Sequence, residues 1–326
     1  MKVISWNPKA KLFLADVDET AADIYKDATP GMIRGLSELL SEGKGLFFVT
    51  GGGIGRVQRN VIDHIPQPLR RRIIVAHCSG AEVLGFNPDG TPKAQPYYSL
   101  YDQAFTTDSS KERWREIIQT IVKDFDLKTH PAMSIQQFFE LTKGDPLAIM
   151  LDDRGPQITF EMPNSWDLSE EQIASHRDRL RQELHGHTDL RAPIMERADE
   201  LLKAAGLPVH PEFGGMFALD FKLQGVDKKR AIHFVLDNDE ALASLGTTKD
   251  ELQDPEHLEV WGDKFSTAKG GSDRKMIEAV TPGVRAIDFR PEEEGEVGSE
   301  FNIVLWNGEK RLHNGLEEYL SSRNQN

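Results

Sequence analysis

The sequence predicts an α/β protein: a Rossmann-like parallel sheet interrupted by an inserted α+β unit. Two observations carry this expectation. Short apolar runs alternate with helix-period segments as far as Ala76, and the same rhythm returns after Gly225. Between them, from about Pro92 to Gln224, hairpin-like runs and longer helices are grouped apart, as in an α+β module. The expected organisation is a core made of residues 1–92 and 225–326, with an inserted unit of residues 93–224. A chain of 326 residues can give each body its own apolar core.

Taken in order, Leu12-Phe13-Leu14-Ala15 reads as a buried strand. Pro30 opens a helix through Leu40, with Ile33, Leu36, Leu39 and Leu40 at helical spacing, and Gly43 and Gly45 stop it. Gly45–Val49 is a second buried strand, running into Thr50-Gly51-Gly52-Gly53. A helix over about 54–65 and a strand over 73–76 complete a βαβαβ order, which implies right-handed crossovers. The middle of the chain carries hairpin strands and helices over 111–125, 157–162, 169–184, 192–205 and 215–221. After Gly225 a helix is expected over 227–236, a strand over 258–261, a helix over 271–280 and a strand over 284–288. A strand over 302–306 and a helix over about 314–319 close the chain. The acidic run 291–296 reads as a solvated loop.

Composition narrows the function. A formal charge of −14 argues against nucleic acid, whose phosphates need a basic surface. It would also repel a phosphorylated metabolite, unless a metal ion and a few basic side chains reverse the local field. The single cysteine, Cys78, excludes an internal disulfide and a thiolate metal cluster, so a site must be built from oxygen and nitrogen. No apolar run approaches the roughly 18 residues a membrane helix needs. The first residues carry no long apolar stretch of the signal-peptide kind, so a cytoplasmic protein is expected. Oligomeric state has no signature in the sequence.

Four segments carry chemistry. The first strand ends in Asp16-Val17-Asp18-Glu19-Thr20, two carboxylates at the strand tip where open α/β sheets bind ligands. Such a pair suits a hard cation, nucleophilic attack and proton transfer together. Thr50, with the backbone N–H groups of Gly51 and Gly52, offers an anion cradle. Lys228, or its neighbour Lys229, opens a helix and can offset phosphate charge. Val260-Trp261-Gly262-Asp263 is again a strand running into an acid, and Asp273 follows at a helix start, where a plain N-cap is the simpler role. His185-Gly186-His187 has no third ligand in view and reads as a polar loop.

In this order the four segments resemble the motifs of the haloacid dehalogenase superfamily of phosphotransferases, and the inserted unit resembles its cap of C2 type B. His77-Cys78-Ser79-Gly80-Ala81-Glu82 is similar to the segment that leads into that cap. Gly262-Asp263-Lys264, Gly270-Gly271-Ser272-Asp273 and Gly214-Gly215 look most like α-phosphomannomutases and sugar-phosphate phosphatases. The resemblance implies that Asp16 attacks phosphorus and that Asp18 acts as acid and then base. It implies Mg²⁺ at Asp16, Asp263 and the backbone carbonyl of Asp18, with Asp273 orienting Lys228 or a metal-bound water. Thr50 and Lys228 would hold the phosphoryl oxygens. Glu19 stands where these proteins usually have glycine, and Ser272 where asparagine is frequent. Glu19 is therefore expected to meet the inserted unit or the substrate.

A mutase needs a basic cluster to grip the second phosphate. Arg154 falls near one such position, whereas 163–168 lacks a second arginine; Arg177, Arg179 and Arg181 lie on the following helix, where Arg177 and Arg181 share a face that reads as solvated. The expected activity is therefore a Mg²⁺-dependent phosphatase acting on a small phosphorylated metabolite, with a phosphosugar as the expected class. The alternatives are a phosphomannomutase-like mutase and a catalytically silent sugar-phosphate-binding relative.

Overall fold

The computed structural model describes residues 4–24, 26–165, 168–169, 171, 188–267, 271–290 and 297–325. The expected helix over 169–184, with Arg177, Arg179 and Arg181, falls almost wholly outside them, as do His185, His187, Gly270 and the acidic run. Two compact units emerge, Met1–Ser99 with Val226–Asn326, and Leu100–Gly225.

The first unit is built on one eight-stranded sheet. Its centre is β1 (Leu12–Ala15), flanked by β2 (Gly45–Val49) and, on the other side, by a strand from the far end of the chain (Leu258–Gly262). Beyond β2 lie β3 (Ile73–His77), β4 (Glu82–Gly85) and β5 (Tyr98–Ser99). Beyond Leu258–Gly262 lie Arg285–Asp288 and Ile303–Leu305. All neighbours are parallel except the β3–β4 and β4–β5 pairs.

Helices cover both faces of this sheet, which is why β1 and β2 are apolar throughout instead of alternating. On one face Phe13, Phe48, Val75, Trp261 and Ile287 pack with Met32 and Leu36 of the helix Pro30–Ser41 and with Leu316 and Tyr319 of Leu312–Ser321. The rings of Phe13 and Trp261 stack with centroids 4.4 Å apart. The alternate residues, Leu14, Phe47, Ile74 and Val260 among them, are equally buried, and helices Lys228–Asp237 and Asp239–Leu245 pack against β2 and β3. The pairing of Val83 with Tyr98 and of Glu82 with Ser99 takes Tyr98–Ser99 into this sheet, and the first unit runs to Ser99, where the sequence put the boundary at 92/93.

The second unit carries a five-stranded sheet, Lys128–His130, Ala148–Asp153, Gln157–Glu161, Ala218–Leu223 and Val209–Gly214 in spatial order. Only its first pair is parallel. Helices Asp108–Asp124 and Arg191–Ala204 pack on each other, burying Trp114, Ile117 and Ile121 of the first and Ile194, Ala198 and Leu202 of the second. No helix among the described residues is long and apolar enough to cross a membrane.

Two expected helices are shorter than their sequences suggested. The segment over 54–65 is helical only as Ile54–Asn60, then tightens to a 3₁₀ turn at Ile62–His64. The one over 271–280 is helical only as Arg274–Ile277. Gly271 is left-handed there (φ 40°), and the carboxylate of Asp273 turns back to the preceding strand instead of capping its own helix.

One strained turn sets the position of the helix Lys228–Asp237. At the end of β3, Cys78, Ser79 and Gly80 all have positive φ (49°, 59° and 93°). The turn donates from Cys78 N to Gly52 O and from Ser79 N to Thr50 O, both at 2.9 Å, so it also holds the end of β2. Only glycine fits at position 80: a Cβ there would lie 2.8 Å from Ala231 Cβ and 3.0 Å from the carbonyl oxygen of Asp227. Gly80→Ala is expected to destabilise the protein by about 1–3 kcal/mol in urea unfolding, from backbone strain and from displacement of the helix. An unchanged midpoint would refute this account of the turn.

Candidate active site

The C-terminal ends of β1, β2 and Leu258–Gly262 lie side by side, and the residues following them meet there. Asp16 extends β1 by one bond, its N–H donating to Trp261 O at 3.0 Å. The chain then turns sharply: Val17 O accepts from Thr20 N, Ala21 N and Ala22 N, with Glu19 left-handed at φ 63°. This turn brings Asp18 beside the end of β2, where its Oδ2 is 3.4 Å from the Thr50 hydroxyl. Thr50 Oγ1 also accepts from Gly52 N at 2.9 Å. That N–H, expected to face an anion, is thus used within the turn. The space beside it stays open because residue 52 has no side chain: a Cβ there would meet Thr50 Oγ1 at 3.3 Å and Asp18 Oδ2 at 3.6 Å.

Lys228 joins the two ends of the sequence. Its Nζ donates to Asp16 Oδ1 at 3.2 Å and to Asp273 Oδ1 at 3.0 Å, and all three groups are buried. Burial alone would lower the ammonium's pKa, but the two carboxylates outweigh it and hold it above its usual range. Asp273 shows the reverse balance: burial pushes it up, while Lys228 and the Asp263 N–H bring it below the usual value. Its Oδ2 accepts from Asp263 N at 3.0 Å and from Lys264 N at 3.1 Å. Both oxygens of Asp273 are therefore engaged, one by the lysine and one by the turn after Leu258–Gly262. Lys229, the other lysine considered, pairs with Glu278 at 2.6 Å.

Asp263 is fully buried and is the member of this group that suits a cation best. Its Oδ2 is held by Arg290, whereas its Oδ1 is buried with no hydrogen-bond partner. One carboxylate oxygen each from Asp16, Asp263 and Asp273 lie within 4.8 Å of one another. An all-oxygen set with an orphaned buried carboxylate oxygen fits a hard divalent ion such as Mg²⁺. Charge points the same way, since among the described residues these three carboxylates face only Lys228 and Arg290 as directly bonded cations. Burial pushes Asp16 well above its usual range, with Asp273 adding to the effect and Lys228 opposing it.

The structure thus gathers Asp16, Asp18, Thr50, Gly52, Lys228, Asp263 and Asp273 along one sheet edge. Asp18 stands outside the carboxylate triad and is partly exposed. Arg154 belongs to the second unit, where it pairs with Asp152 at 2.7 Å and Glu161 at 3.7 Å. Glu19 lies 3.7 Å from His313, at the start of the last helix of its own unit. Two arginines escaped the sequence reading. Arg56, one turn into the helix after the glycines, stands 3.6 Å from Asp18 Oδ1. Arg290 lies two residues past Arg285–Asp288, at the same sheet edge as the acids. That strand-end position was its one available signal.

Compared by sequence, the chain matches no protein-family model and no curated protein. Compared by structure, it is similar to a haloacid dehalogenase-like hydrolase from Bacteroides thetaiotaomicron (TM-score 0.54, 14% identity, covering 95% of this chain and 99% of that one). It is also similar to a protein of known structure from Eubacterium rectale (TM-score 0.50, 14% identity, 97% and 99% covered). A third similar structure is IMP-bound Plasmodium falciparum IMP-nucleotidase (TM-score 0.46, 12% identity, 97% and 68% covered). The fold of this chain is that of the haloacid dehalogenase-like hydrolases.

Two outcomes follow from the electrostatics. Lys228→Met leaves Asp16 and Asp273 facing each other without their shared cation. It is expected to cost about 3–5 kcal/mol of stability in urea at neutral pH, with part regained on acidification. Asp263 is raised to about 6, mainly by burial and then by Asp273. The folded chain therefore holds this proton more tightly than the unfolded chain, and metal-free stability falls as pH rises from the ordinary 3.8 through about 6. A cation that takes the ionised carboxylate gains where the proton is lost. The rise in Tm on adding millimolar Mg²⁺ should be larger at about pH 7.5 than at about pH 5; equal increments would contradict the assignment of Asp263.

Proposed function

We propose that this chain is a Mg²⁺-dependent phosphatase that hydrolyses a small phosphorylated metabolite, a phosphosugar first among the candidates, through a phosphorylated Asp16. The observation that carries the reading is the buried Asp16–Lys228–Asp273 bridge, with Asp18 and Thr50 beside it on one sheet edge. Asp16, Asp263 and the backbone carbonyl of Asp18 would hold the cation, and Asp273 would keep Lys228 in place. When bound, Mg²⁺ would offset charge on the phosphoryl oxygens.

In the first step an Asp16 carboxylate oxygen attacks phosphorus, and the bond from phosphorus to the substrate oxygen breaks. Asp18, protonated, gives its proton to the departing oxygen. Asp18, now ionised, takes a proton from water as that water attacks phosphorus, which releases inorganic phosphate and restores Asp16. Lys228 and Thr50 bind phosphoryl oxygens throughout. The unit Leu100–Gly225 would select the substrate. The pairing of Arg154 with two acids of its own unit favours hydrolysis over a mutase reaction, which needs that guanidinium for a second phosphate.

Phosphate release from a panel of sugar phosphates, nucleotides and polyol phosphates tests the reading. Release should require Mg²⁺, stop with EDTA, and fall at least about 10³-fold in Asp16→Asn and about 10²–10⁴-fold in Asp18→Asn. Release that persists in Asp16→Asn would overturn the mechanism. Silence toward every monophosphate, with activity appearing only on addition of a sugar bisphosphate, would favour the mutase.

A further inference from the structure

Arg290 grips Asp263 by two atoms. Its Nε donates to the Asp263 carbonyl oxygen at 2.7 Å, and its Nη2 bonds to the carboxylate Oδ2. The arginine is itself held at its base, since its N–H donates to Asp288 Oδ1 at 2.9 Å. Asp288 ends the strand paired to Leu258–Gly262, in direct register with Gly262. A planar guanidinium bonded to both a backbone oxygen and a side-chain oxygen of one residue leaves that side chain almost no rotational freedom. The carboxylate therefore has one oxygen committed, while Oδ1 is buried without a partner, and a carboxylate oxygen of Asp263 lies within 4.8 Å of one each from Asp16 and Asp273.

We propose that Arg290 is a positioning residue for a divalent cation: it fixes Asp263 so that Oδ1 is presented as a ligand. The proposal rests on the Mg²⁺-dependent reading above. Removing Arg290 has two opposed effects on a bound cation. Loss of a positive charge nearby strengthens attraction, and loss of the fixed carboxylate orientation weakens coordination. Orientation wins here. The arginine's charge is already spent on Oδ2, and a freely turning carboxylate would present its ligand oxygen only part of the time. Lysine cannot replace it, because a single ammonium cannot reproduce the fork that spans Oδ2 and the carbonyl.

The test is Mn²⁺ binding to the full chain, followed by the electron paramagnetic resonance of free Mn²⁺, for wild type, Arg290→Met, Arg290→Lys and Asp263→Asn. Arg290→Met should bind Mn²⁺ about 10–100-fold more weakly than wild type. Arg290→Lys, which keeps the charge and loses the fork, should also be weaker. The metal-free Tm of the lysine variant should stay close to wild type, which a merely structural role for Arg290 would not allow. If the methionine variant does not fold, the lysine variant decides alone. Unchanged or tighter Mn²⁺ binding in the folded variants, with Asp263→Asn weakened, would overturn the positioning role and leave the metal site standing. Wild-type protein that binds no Mn²⁺ would overturn both.

Discussion

The buried ammonium of Lys228 is the interaction on which the site depends. It bonds to two carboxylates from opposite ends of the chain, 212 residues away in one direction and 45 in the other. Without it, Asp16 and Asp273 would face each other in a water-poor space, and one would have to take up a proton. With it, the ends of β1 and of Leu258–Gly262 are held to the helix Lys228–Asp237. The rest of the first unit can be understood as what brings that lysine to its place. The chain leaves the sheet after Tyr98–Ser99, builds a second unit, and comes back at Val226 with the lysine at the first turn of the next helix.

Supporting parts are tied to one another as well as to the lysine. The left-handed turn at Cys78–Gly80 accepts the close approach of the helix Lys228–Asp237 and bonds to the Thr50 turn. Displacing it would disturb the lysine and the threonine together. On the opposite face, the fully buried Glu259 accepts from Trp261 Nε1 at 2.7 Å and from the Tyr319 hydroxyl at 2.9 Å, and pairs with Arg285. That network links the strand that precedes Asp263 to the last helix. Glu259 is thus a paired, structural carboxylate, whereas Asp263 leaves its buried Oδ1 without a partner beside two other carboxylates.

Much of this was legible in the sequence because its signals are local. An apolar run that stops at an acid, or at Thr-Gly-Gly, shows a strand and its functional end in a few residues. Strands β1 and β2, the helix from Pro30 and the α/β class were readable in that way. Short strands such as Tyr98–Ser99 and Lys128–His130 were not, since two or three residues carry no period and exist only through their partners. The helices over 54–65 and 271–280 were overread for a related reason. Apolar spacing continued past the point where the Ile62–His64 turn and the backward reach of Asp273 ended them.

By itself the sequence determined the class of fold and which acids, threonine and lysine stand at element ends, because those follow from runs of a few neighbouring residues. It could not settle which group each would face. Only the tertiary structure decided that Lys228 bridges Asp16 and Asp273, that Gly52 spends its N–H on Thr50, and that Glu19 turns to His313. Arg56 and Arg290 became visible only there too. The reason is physical. A side chain's partner is chosen by burial and by the charges that packing brings within a few ångströms, and sequence distance carries no record of either.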